Sequence, residues 1–168
     1  MNQFIEDKYK ISDIKLNLKV NKKNKNQIKI AILGGSTTNL IKNTLSEHLL
    51  INNLKGIFFE SDYNQFYFEG IKPSKKLKEF KPQIIYIHTT SANIEEFPRV
   101  GLSKNEVDKL INKTFKKYQS IWTNLTKKFN CTIIQNNFEY LPFSSLGNLE
   151  STKAYGKVNF LTKLNLKF

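Results

Sequence analysis

Apolar and polar positions alternate between two kinds of segment along the chain. Ile28 to Leu33 (IKIAIL) is a β-branched apolar run closed by Gly34-Gly35, the pattern of a strand buried on both faces. Asn39 to Asn52 then sets Ile41, Leu45, His48 and Leu49 on one helical face, with His48 expected to pack on its helix. Any of Ser36, Thr37 and Thr38 can cap that helix. Leu54 to Ser61 reads as a second strand, and Gln83 to Thr89, entered through Lys81-Pro82, as a third. A loop with a short helix near Ser74 to Phe80 connects them. Ser103 and Glu106 make a capping box before a long helix carrying Val107, Leu110, Ile111, Phe115, Tyr118, Ile121, Trp122, Leu125 and Phe129. Cys131 to Gln135 is the fourth strand, followed by a loop with Pro142 and Gly147 and a helix around Gly156 to Leu166.

Strands alternating with helices predict an α/β fold, a three-layer sandwich in which helices cover both faces of a parallel sheet. In such sheets ligands sit beyond the carboxyl ends of the strands, here Gly34 to Thr38, Ser61 to Gly70, His88 to Asn93 and Gln135 to Asn148. Residues 1–27 are polar and lysine-rich and form an N-terminal extension to a domain at 28–168. Their periodicity fits either a strand through Ile14, Leu16, Leu18 and Val20 or a short helix with Phe4, Tyr9 and Ile11. The repeated KLNLK at 15–19 and 163–167 reads as coincidence in so Lys-Asn-Leu-rich a chain.

Composition narrows the function classes. With 168 residues, 39% hydrophobic and 24% charged, the chain folds as one domain. Its apolar runs are far shorter than the roughly 20 residues of a membrane span, and the N-terminus lacks a signal-like apolar stretch, so the expected location is the cytoplasm. The single cysteine, Cys131, and two histidines cannot build a structural zinc site. The 27 basic against 14 acidic residues give +13, which raises nucleic-acid binding as one reading. Arg99 is the sole arginine, though, and readers of bases and phosphates favour the guanidinium fork, so the lysines read mainly as solvated surface.

Candidate chemistry gathers at the strand ends. Gly34, Gly35, Ser36, Thr37 and Thr38 place backbone N–H groups and hydroxyls at a helix start, either an anion site or simply a tight turn. They match neither a Walker loop nor GxGxxG. As a nucleophile Ser36 needs a base, and His88 ends the third strand, but no acid is obviously placed to orient that imidazole. Glu60 and Asp62 at the second strand end are a possible acid/base pair or a solvated loop. Asn136 and Asn137, within QNNFE, are amide-rich ligand-binding candidates, as are Tyr63, Asn64 and Gln65. Both groups also suit Asx turns.

Taken together, LGGSTTNLI, ESDYNQFYFEG, EFKPQIIYIHTTSANI and IIQNNFEYLP with LGN resemble the N-terminal domain of FkbH-like proteins, subfamily IIIC of the haloacid-dehalogenase superfamily. The resemblance runs from about Ile28 to Asn148. It implies an SGNH-hydrolase-like, flavodoxin-like domain preceding a phosphatase-like domain. The implied role is phosphoryl chemistry or glyceryl transfer in polyketide or surface-polysaccharide biosynthesis, with an acyl carrier protein or a phosphorylated metabolite as partner. The Asp-x-Asp-x-Thr/Ser phosphatase motif is absent from this sequence, so Mg2+ is expected only in the phosphatase-like domain, and no cofactor in this chain. Ser36 stands at the first-block serine of SGNH hydrolases with Gly35 in place of the usual aspartate; Asn93 stands loosely for the third-block asparagine. No histidine follows His88, so the late Asp-x-x-His is missing. The expected role is an accessory substrate- or carrier-binding domain, with an SGNH-like esterase as the alternative. A fifth strand is expected beyond the last helix, and without it the open sheet edge makes a homodimer an expectation.

Overall fold

A computed structural model describes residues 26–168; the readings made for residues 1–25 lie outside the described residues. The elements are β1 (Asn26–Gly34), α1 (Asn39–Ile51), β2 (Leu54–Glu60), α2 (Phe66–Ile71), α3 (Lys75–Phe80), β3 (Ile84–His88), a 3-10 turn (Ser91–Asn93), α4 (Lys104–Phe129), β4 (Thr132–Gln135), α5 (Leu149–Thr152) and α6 (Lys157–Asn165). The four strands are parallel in the order β2-β1-β3-β4. This is the sheet order of the first four strands of a flavodoxin-type sheet, with the reversal at β1/β3.

Side-chain alternation divides the sheet into two faces. Ala31, Leu33, Ile85 and Ile87 join the main core with α4 and α6, where Tyr118, Phe160 and Leu161 are fully buried. Ile30 and Ile32 point to the opposite face, which carries α1 over Phe58. The stripe Val107, Ile111, Tyr118, Ile121, Leu125 is buried along α4, as its spacing requires. The Ser103/Glu106 capping box forms, with Ser103 N–H and hydroxyl both donating to Glu106 Oε2 at 2.8 and 2.6 Å. Ser74 caps α3 by accepting from Leu77 N–H at 3.2 Å.

Several expectations are corrected. His48 is exposed, and no residue of α1 is fully buried: the helix covers one flank of the sheet, so its apolar side packs only partly. Thr38 precedes α1 without capping it, because its hydroxyl donates to Glu60 Oε2 at 3.0 Å instead. Residues 66–71, expected in a loop, form α2; Gly70 lets this helix approach α4 so closely that a Cβ would lie 2.6 Å from Ile121 Cγ2. β1 begins two residues early because Asn26 and Gln27 pair with Leu54 and Lys55.

Candidate functional site

The carboxyl ends of β1, β2 and β3 meet in a rim held by hydrogen bonds. Gly34 N–H donates to Ser61 Oγ at 3.0 Å and Gly35 N–H to the His88 carbonyl at 2.7 Å, so neither is free to cradle an anion. Asn93 knits the rim together: its Oδ1 accepts from Thr90 N–H at 2.8 Å, and its Nδ2 donates to the Gly35 carbonyl at 2.9 Å and to Asn64 Oδ1 at 3.1 Å. A Cβ on Gly35 would overlap this amide, which is why the second glycine is required. Both amide hydrogens of Asn93 are spent on these contacts, leaving none to donate to an oxyanion.

Ser36, Thr37, Asn39, Ser61, Asp62 and Tyr63 surround an open cleft of ≈ 390 Å3. Tyr63 is 72% exposed, and Thr37, Asn64 and Gln65 are exposed as well. The Ser36 hydroxyl makes no hydrogen bond among the described residues. Glu60 is not paired with Asp62: it accepts from Thr38 and from Lys42 Nζ, the latter at 2.5 Å. Of the two readings offered for these residues, the solvated loop fits Asp62, while Glu60 is tied into the α1 flank.

His88 and Tyr86 share one face of β3, with Tyr86 Oη and His88 Nδ1 at 3.2 Å. Burial lowers the imidazole below its ordinary value, against the opposing effects of the Glu139 carboxylate and the Asn136 amide. His88 does not line the cleft that holds Ser36, and no hydrogen bond joins the two side chains.

In the amide run after β4, Asn136 is engaged within the protein. Asn136 Oδ1 accepts from Thr89 N–H at 3.0 Å, and Asn136 Nδ2 donates to the Thr89 and Asn137 carbonyls at 2.7 and 2.9 Å. Gln135 Nε2 reaches Thr89 Oγ1 at 3.0 Å. Asn136 is thus a clamp on a fully buried Thr89, and Asn137 is exposed beside it. Sequence reasoning missed Glu139 and Ser91: Ser91 N–H and hydroxyl donate to Glu139 Oε1 at 2.9 and 2.7 Å, fixing the acid near His88. The signal was present in the two segments TTSAN and QNNFE, but only tertiary structure brings them together.

The family model for FkbH, N-terminal domain, matches residues 29–168. The chain belongs to the FkbH N-terminal domain family. No curated protein matches it. Among solved structures, this FkbH N-terminal domain is similar to the N-terminal part of the protein BF1531 from Bacteroides fragilis, described as containing a phosphatase domain complexed with Mg. The TM-score is 0.73 at 18% identity over 95% of this chain and 41% of that one. The likeness shows a shared fold, and the chain spans about two fifths of that structure. Among the described residues of the FkbH N-terminal domain, no group of three or more histidine, cysteine, aspartate or glutamate side chains is placed to hold a metal ion. No helix among them is long and apolar enough to cross a membrane.

Proposed function

We propose that the domain is an accessory binding module, which orients a phosphorylated metabolite or an acyl carrier protein for a phosphatase-like domain supplied in cis or in trans. The setting would be polyketide or surface-polysaccharide biosynthesis, as the resemblance implies. The observation that carries this reading is the separation of roles at the rim. The cleft beside Ser36 is open and rich in hydroxyls, while His88 contacts Tyr86 through Nδ1 and the Asn93 amide hydrogens go to Gly35 and Asn64. Such a surface suits binding and positioning, and neither His88 nor Asn93 is hydrogen-bonded to Ser36.

The test is steady-state kinetics of a phosphatase-like domain of this family with and without the 168-residue chain. A KM lowered at least threefold with kcat unchanged supports positioning, because uniform binding moves KM alone. Equal KM and kcat in both conditions would contradict it.

The SGNH-like esterase remains a second reading because of one observation: Glu139 acts electrostatically on His88, an acid beside an imidazole that burial keeps neutral near pH 7. Hydrolysis of short acyl esters that disappears in both Ser36→Ala and His88→Ala would favour it over the binding module.

A further inference from the structure

Asn93 also lines a second cavity of ≈ 210 Å3, together with Tyr67 of α2, Glu95 and Glu96 after the 3-10 turn, and Lys113, Lys117 and Tyr118 of α4. Its two lysines lie four residues apart, on one face of the helix. Lys117 is held in place, with its Nζ 4.6 Å from the Tyr67 ring centroid and its side chain 20% exposed. Its partner is not held: Glu95 reaches Lys117 Nζ at 2.5 Å from a side chain that is 66% exposed. Lys113 and Glu96 repeat the arrangement at 3.6 Å with both partners exposed. Each cation therefore meets a carboxylate from a largely exposed side chain, and ion pairs with an exposed partner contribute little to stability.

Tyr118 closes the inner side of the cavity. Tyr118 is fully buried, with its hydroxyl beside that of Thr89 but outside ordinary hydrogen-bond distance of any described residue. Burial raises its phenol well above the ordinary value, so the group stays a neutral donor. The cavity is far larger than the ~10–15 Å3 that one water requires.

We propose that this cavity binds a small molecule through an oxyanion, a carboxylate or a phosphate, and that Glu95 occupies the oxyanion position in the free protein. Lys117 is the primary cation, Lys113 the second, and Glu95 a displaceable competitor. This goes beyond the accessory role above, since it names a second site and needs no phosphatase-like domain to be observed. Failure of the kinetic test would leave it standing, and its own failure would leave the kinetic test untouched.

The experiment is a 15N–1H NMR titration of the whole chain with inorganic phosphate and, separately, acetate, each matched in ionic strength by NaCl. Saturable shifts are expected at the amides of Asn93–Glu96 and Lys113–Tyr118. Tighter binding of phosphate points to a phosphorylated ligand, and tighter binding of acetate to a carboxylic acid. Glu95→Gln should lower Kd at least threefold, Lys117→Met should raise it at least tenfold, and Lys117→Arg should restore binding. Glu79→Gln makes the same change in net charge on α3, at the opposite end of the sheet, and should leave Kd unchanged. The proposal is overturned if shifts match those from NaCl, if Glu95→Gln binds no more tightly than wild type, or if Glu79→Gln tightens binding equally.

Discussion

Replacing Asn136 by alanine removes three hydrogen bonds at once, two of them from the main chain of a residue with no exposure to solvent. A typical bond contributes about 1 kcal/mol net, and a buried group left without a partner costs ~1–3 kcal/mol. The Thr89 N–H and carbonyl both lose their Asn136 partner, so the expected loss is about 3 kcal/mol, a large part of the ~5–15 kcal/mol that holds a domain together. At ~2–4 °C per kcal/mol for a chain of this size, Tm should fall by roughly 6–12 °C. Urea unfolding followed by circular dichroism should show a lower midpoint at unchanged m. Asn136→Asp sharpens the test. It keeps an acceptor for Thr89 N–H but turns a carboxylate towards the Thr89 and Asn137 carbonyls, so it should be at least as unstable at pH 7 and recover partly as the acid protonates near pH ~4. A Tm within about 2 °C of wild type for both variants would refute the clamp.

Other expectations follow from the same geometry. Gly35→Ala drives a methyl into the Asn93 amide and should cost ~1–3 kcal/mol in chemical denaturation; a neutral result would mean that the rim yields easily. Ser36→Ala should stay within about 0.5 kcal/mol of wild type, since its hydroxyl joins no network. For His88, burial depresses the folded-state pKa below the unfolded value near 6.5, so the neutral ring contributes stability above that pH, and this is lost as pH falls through the folded value. An imidazole NMR titration should place its midpoint below 6.5; a midpoint above it would contradict the assignment. Glu150 is 3% exposed, and its carboxylate accepts from Lys157 N–H at 2.5 Å and Ser145 Oγ at 3.2 Å. Burial pushes this carboxyl up, but those donors outweigh it and hold it low, so Glu150→Ala should loosen the start of α6, read as faster amide exchange at Lys157–Phe160.

The alternation of strands and helices was legible because each buried strand is a short β-branched run and α4 announces itself with a capping box and a five-residue buried stripe. The α2 helix was not legible: FYFEGI is aromatic and short, and it is helical because Gly70 lets it pack on Ile121, a contact far away in sequence. At the site, the sequence located the rim but not the division of labour within it. Three amides at a strand end look alike whether they face a ligand or clamp a neighbouring loop, and only the partner, Thr89, decides that Asn136 is a clamp. Lys113 and Lys117 were read as surface decoration among many lysines, since nothing local marks the residues that face Glu95, Glu96 and Tyr67 across the fold.

The central claim is that the rim binds and does not hydrolyse, and the most direct measurement is the reaction of Ser36 with a fluorophosphonate followed by intact mass. Only a serine activated by a base reacts rapidly with such a reagent. The account predicts no adduct at Ser36 after prolonged exposure at pH 7.5, where His88 is neutral and remains engaged with Tyr86. A stoichiometric adduct that forms on the wild type and disappears in Ser36→Ala would contradict it and make the domain a serine hydrolase.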